Sequence, residues 1–158
     1  MFGVIDAYTG LKYVHVLAAV IWVGGAVAAN IQGTRITRTG DGERLAIFGR
    51  DTEWLGTHVY LPASLVVLVF GILTALKGHY SFGQAWLLIG ILGIVATSIT
   101  GSAFLGPELK RISGIIEARG AKDPEVARRV TRVIAVARID LVVLFVVIFV
   151  MVTKPGLS

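Results

Sequence analysis

An all-α, four-helix transmembrane bundle is the fold class this sequence predicts, and three observations predict it. The 158 residues are 55% hydrophobic and only 16% charged, with a mean hydropathy of +0.79, too apolar for a soluble domain of this size. Four apolar runs, at residues 11–31, 60–76, 86–105 and 133–152, approach the ~20 residues that a helix needs to cross a hydrocarbon core of ~30 Å. Most of the charge lies between these runs. Backbone polar groups in lipid must be satisfied within the segment, so runs without barrel-like alternation are helices. Residues 1–158 read as a single integral membrane domain, with no linker or low-complexity segment.

The first run places His15, Ala18, Ala19, Trp22, Gly25, Ala26 and Ala29 on one face at helical spacing, and Val16, Val20, Val23 and Val27 on the other. A histidine turned into hydrocarbon is expensive, so His15 is expected to face protein and the valines to face lipid. The run ends in Ala26-Val27-Ala28, which resembles a signal-peptide cleavage site. Only Lys12 serves as a basic n-region, however, and the segment reads as retained. Between Glu43 and Gly56 apolar and charged residues mix at helical intervals, so the second helix is expected to begin well before the membrane, with Trp54 at headgroup level. The third run carries Gly93, Thr97 and Gly101 as a small-residue ridge suited to close helix packing, and Glu108 to Arg119 reads as its helical extension. Asp123-Pro124-Glu125 is a helix start, with a capping acid, a proline at the first position and a second acid in the first turn. From there the fourth helix is expected to run unbroken to Thr153. Leu65-Val-Val-Leu68 echoes Leu141-Val-Val-Leu144, which suggests a weak repeat of two helical hairpins.

Charge gives the topology. The first connection holds Arg35, Arg38, Arg44 and Arg50, and the third holds Lys110, Arg111, Arg119, Lys122, Arg128, Arg129 and Arg132. The second holds only Lys77, and the termini add Lys12 and Lys154. By the positive-inside rule both long basic connections are cytoplasmic and both termini lie outside. The net charge of +5 is therefore a topological signal, and no nucleic-acid partner is expected. The chain has no cysteine, so no thiolate metal site, and only Met1 and Met151 could offer thioethers to copper(I). No nucleophile paired with a base, phosphate-cradling loop or catalytic carboxylate pair is present, and hydrolase and kinase chemistry is not indicated.

Two places could carry chemistry. His15 falls in the outer leaflet and His58 near the inner surface, while His79 in the short outer loop shares a side with His15. His15 and His79 are the pair that could clamp one metal or haem; otherwise His79 is an exposed loop residue and His58 an interfacial one. His15 can hydrogen-bond a neighbouring helix, or act as an axial haem ligand with Lys12, Lys77 or Lys154 meeting the propionates. The second place is a polar cluster of Asn30, Tyr60, Arg138 and Asp140 in the inner half, with Ser64, Thr97, Thr100 and Ser102 at similar depth. Arg138 and Asp140 are two positions apart and point to different faces. Asp140 is expected to meet Arg35, Asn30 or Tyr60, and Arg138 to snorkel to the surface. Such a cluster serves either as a structural clasp or as a proton or ion path.

The pattern Lys12-x-x-His15-x-x-Ala18-x-x-x-Trp22-x-Gly24 resembles the first helix of the copper-resistance D membrane domain and of the oxygen-independent, haem-binding protoporphyrinogen oxidase of bacteria and cyanobacteria. The whole outline, including the ending Met151-Val-Thr-Lys-Pro-Gly156, resembles a related family of small four-helix bacterial integral membrane proteins of unknown function. The resemblance implies a bacterial inner-membrane location and haem b held at His15 alone; Trp22, Lys12 and His79 are the further candidate cofactor-binding residues read from position. The oxidase's third-helix lysine has no counterpart, because residues 86–105 contain neither Lys nor His. A haem or quinone role is implied without the oxidase reaction. The expectation is thus a protein that binds a b-type haem, or serves a membrane redox complex, through its first-helix histidine. Its partners would be the lipid bilayer and a redox complex or further copies of itself. The alternatives are a non-catalytic accessory subunit of a larger membrane complex, and a small transporter or proton conduit using Asp140.

Overall fold

The computed structural model describes residues 6–155. It is all helical among those residues: α1 (Ala7–Thr39), α2 (Gly42–Leu55), a π turn (Gly56–Tyr60), α3 (Leu61–Lys77), α4 (Ala85–Ile99), a second π turn (Thr100–Leu105), α5 (Gly106–Arg119) and α6 (Pro124–Thr153). Because each π turn joins its neighbours without a break, the chain forms four rods, all long and apolar enough to cross a membrane. At 33 residues, α1 is about 50 Å long. That exceeds the ~30 Å hydrocarbon core, so the rods project beyond the bilayer at the basic end, as the charged connections predict.

Local chemistry fixes the ends of the rods. The Asp6 carboxylate accepts from the Thr9 amide at 2.8 Å, and Asp41 accepts from the Arg44 amide at 3.1 Å. Gly40 takes the left-handed conformation (φ 68°) that lets α1 stop and the chain reverse within two residues. Asp123 accepts from the Glu125 amide at 2.8 Å, with Pro124 opening α6, which runs to Thr153 as expected.

Rod α1 packs chiefly on α3 and α4 on α6; α1 touches α6, and α2 meets α5 at the basic end. The membrane layer has Ala18, Trp22, Ala63, Val67, Ile94, Leu144 and Val147 at its centre. Lipid gives little hydrophobic drive between helices, so close approach has to supply the contact. A side chain at Gly93 would collide with Val147, and one at Gly25 with the Tyr60 ring. The basic end has its own core of Leu109, Ile112, Val126, Val130 and Val133. That layer stands in water, where burying each aliphatic side chain contributes about 1.5–3 kcal/mol.

Three expectations are corrected. Val23 does not face lipid; it packs against the central cluster, because that cluster wraps more of α1 than a single stripe. Gly101 does not pack a helix: a Cβ there meets nothing within 4 Å, and it belongs to the second π turn. The echoed Leu-Val-Val-Leu segments differ in burial. Val67, the third residue of the first, is buried, whereas in the second it is Leu144, the fourth. The same letters meet different surroundings, so the two segments are not buried in the same register.

Both π turns have a covalent cause. Pro62 and Pro107 each lie two residues beyond a π turn, and neither can donate the hydrogen bond that would reach back to residue 58 or 103. The helix widens instead, and the Leu61 and Gly106 amides reach back five residues to the carbonyls of Gly56 and Gly101.

Candidate functional site

The bundle holds a cavity in each half. The larger, about 410 Å³, lies at the end bearing both termini and is bounded by α1, α3, α4 and α6. His15 is on its wall. The His15 Nδ1 donates to the Val67 carbonyl at 2.8 Å, since a carbonyl can only accept. In the neutral ring this fixes the tautomer and leaves the lone pair on Nε2. Gly71 makes room: a Cβ there would stand 2.9 Å from the ring's Cε1 and 3.0 Å from Nδ1.

Cations collect at the mouth of this cavity. Lys12 and Lys154 both line it. The Lys154 ammonium donates to the Tyr80 hydroxyl at 3.0 Å and lies 4.6 Å from the Tyr80 ring centre and 5.4 Å from that of Trp86. This neighbour draws the Tyr80 phenol below its ordinary pKa. Tyr80 meets Trp86 edge-on at 5.3 Å, and the Trp86 indole donates to the Gln84 side-chain oxygen at 3.1 Å. Met151 lines the same cavity. Val16 and Val152, exposed by 48% and 75%, belong to its wall, so the cavity borders the lipid-facing surface.

The smaller cavity, about 160 Å³, lies in the basic half between the π turns. Asp140, Asn30 and Tyr60 line it, with Trp22 and Phe48. The Asn30 amide donates to the carbonyls of Ala26 at 3.0 Å and Ala137 at 3.5 Å, bracing α1 against α6. Among the described residues Asp140 makes no hydrogen bond or ion pair. The expected pairing with Arg35, Asn30 or Tyr60 is therefore not formed. Arg35 is exposed and outside the lining, the Asn30 donors are engaged by carbonyls, and the Tyr60 ring lies over Gly25. Arg138 is exposed.

The predicted site residues thus divide. His15 and Lys12 line the larger cavity, while Trp22, one heptad beyond His15, is buried and lines the other. His79 is exposed in the loop after α3, with φ 56°, and is not on the larger cavity's wall. His58 is exposed at the basic end, where its Nδ1 donates to the Trp54 carbonyl at 2.9 Å and its ring stacks on Trp54 at 4.6 Å. Among the described residues no group of three or more His, Cys, Asp or Glu side chains could hold a metal ion. Sequence reasoning missed Tyr80, Trp86 and Met151 as wall residues. Their signal was position: Met151 falls one turn before Lys154 on the same helix end.

The donor set of the larger cavity fits a haem. It offers an oriented imidazole, a thioether, flanking ammonium groups and a volume within the ~300–1,000 Å³ of cofactor sites. A family model described as "Predicted integral membrane protein" (DUF2269) matches residues 9–155. No curated protein and no solved structure matches the chain.

Proposed function

The chain belongs to the DUF2269 family of integral membrane proteins, and we propose that this member binds a b-type haem in its larger cavity through the Nε2 of His15. The observation that carries the proposal is the hydrogen bond from His15 Nδ1 to the Val67 carbonyl. It is the second contact by which proteins orient an imidazole toward a metal, fixing the tautomer and raising the basicity of the other nitrogen. Met151 would add a thioether to the same wall, and Lys12 and Lys154 would meet the propionates of the bound group. The first-helix resemblance to haem-binding membrane proteins supports the same assignment. Bound haem supplies one-electron exchange between ferric and ferrous iron. The chain's own residues orient the ligand, close the walls with Trp86 and Leu87 (4% and 3% exposed) and leave one side near lipid, where a membrane-soluble redox partner can approach.

Protein produced with ample haem supply and purified in detergent is expected to show a Soret band that shifts on dithionite reduction. His15→Ala should lose it while keeping its helical circular dichroism. A colourless, folded wild type, or a band unchanged in His15→Ala, overturns the proposal; the first result would favour an accessory role in which His15 only ties α1 to α3.

A further inference from the structure

We propose that the smaller cavity, separate from the haem site, binds a small organic ammonium cation from the basic end, with the Asp140 carboxylate as its counter-ion. The case rests on donor and acceptor accounting. The Ser64 hydroxyl donates to the Leu61 carbonyl at 2.8 Å, Thr97 to Gly93 at 2.9 Å, Ser98 to Ile94 at 2.7 Å and Ser102 to Ser98 at 2.8 Å. The hydrogens of these four hydroxyls are held by helix carbonyls, so the four offer oxygen lone pairs to the cavity, whose wall also carries the hydroxyls of Thr34, Thr52 and Tyr60. Asp140 adds a carboxylate that no protein cation meets among the described residues, Arg35 and Arg138 both being exposed and outside the lining. A half-buried anion that no protein cation meets calls for a positive partner.

The surroundings choose among cations. A divalent ion wants several carboxylate or carbonyl oxygens, and Asp140 is the only carboxylate on this wall. The rest is largely apolar and includes Trp22, Phe48 and Tyr60, aromatic faces that attract alkylammonium groups. The volume of about 160 Å³ lies below the ~300 Å³ at which drug-sized sites begin, so the ligand is small. Phe48 and Thr52 of α2 and Leu109 of α5 reach the cavity from the basic layer, which sets the direction of entry.

Choline and its uncharged carbon isostere, dimethylbutanol, form the decisive pair, titrated calorimetrically into detergent-purified protein. Choline is expected to bind at least tenfold more tightly than the isostere, and Asp140→Asn to weaken choline at least tenfold without lowering helicity. The ligand pair decides the matter in the wild type even if the variant fails to fold. Equal binding of choline and isostere, an Asp140→Asn protein that binds as before, a response to sodium but not to choline, or no binding at all would each overturn the proposal. Since His15 is in the other cavity, His15→Ala should leave choline binding unchanged, and the two proposals fail separately.

Discussion

His15 gives one ring nitrogen to the carbonyl of Val67, and Gly71 is what allows the ring to lie there. A methyl at position 71 would stand 2.9 Å from Cε1, well inside carbon–carbon contact distance, so the imidazole has to move or α3 has to retreat. Gly71→Ala is expected to cost about 1–3 kcal/mol, the usual range for overpacking, and to reduce haem absorbance although Gly71 ligates nothing. Thermal melts and spectra of the variant check both. Gly114→Ala is the matched control: a Cβ there meets nothing within 4 Å, and alanine in a helix interior gains up to about 1 kcal/mol over glycine, so its melting temperature should hold or rise. At this scale the sequence was partly legible. The cost of a histidine in lipid turned His15 inward correctly, but Trp22 on the same stripe ended in a different cavity. A helix face says which side is buried and not how far along the axis a cavity extends.

The two π turns act at the scale of elements. Each admits one extra residue into its rod, so the segments on either side are rotated by about 100° relative to a continuous α-helix. That offset allows α3 to aim Val67 and Gly71 at α1 while α2, on the same rod, aims Gly49 at Ser113 and Leu109 of α5. Deleting Thr57, an exposed residue of the first π turn, removes the extra residue and should put the two ends of the rod out of register, while Pro62 still leaves one ladder bond unmade. Limited proteolysis is expected to cut between Arg44 and Arg50 faster in the deletion variant than in the wild type, because the α2–α5 contact is lost. The extents of the rods were legible from hydropathy and from the Asp123-Pro124-Glu125 start. The π turns were not, because a proline two residues ahead reads equally as a helix boundary, a kink or a wide turn.

At the scale of the molecule, a lipid-facing bundle carries a water-facing layer held by charge as well as by its apolar core. Glu108, only 6% exposed, accepts from Arg129 at 2.8 Å and from Arg111 at 2.9 Å. The Glu108–Arg129 pair links α5 to α6, and Arg129 also pairs with Glu125 one turn away on its own helix at 2.7 Å. The Arg129 hydrogen bond holds the Glu108 carboxyl below the usual glutamate pKa. A carboxylate depressed in the folded state contributes stability that is full above its unfolded pKa and is lost as pH falls through the folded one. Melting temperature is therefore expected to drop on acidification below roughly pH 4, and the drop should be shallower in Glu108→Gln, which lacks the titrating group and is less stable at neutral pH. Composition and charge made the membrane class and the two-layer layout legible. The cavities were not, since they arise where four rods fail to fill the space between them, a property of no single segment.

The bond between His15 and Val67 lies wholly within the first helical hairpin, whereas Trp86, Met151 and Lys154 come from the second half. Chains emerge from the ribosome N-terminus first. Both partners of this bond are thus made before the groups that enclose the histidine, and of the wall residues named Lys154 is the last to be synthesised. Under the proposed function, a bulky planar guest would have an interval during translation when its seat is ready and its door has not yet been built.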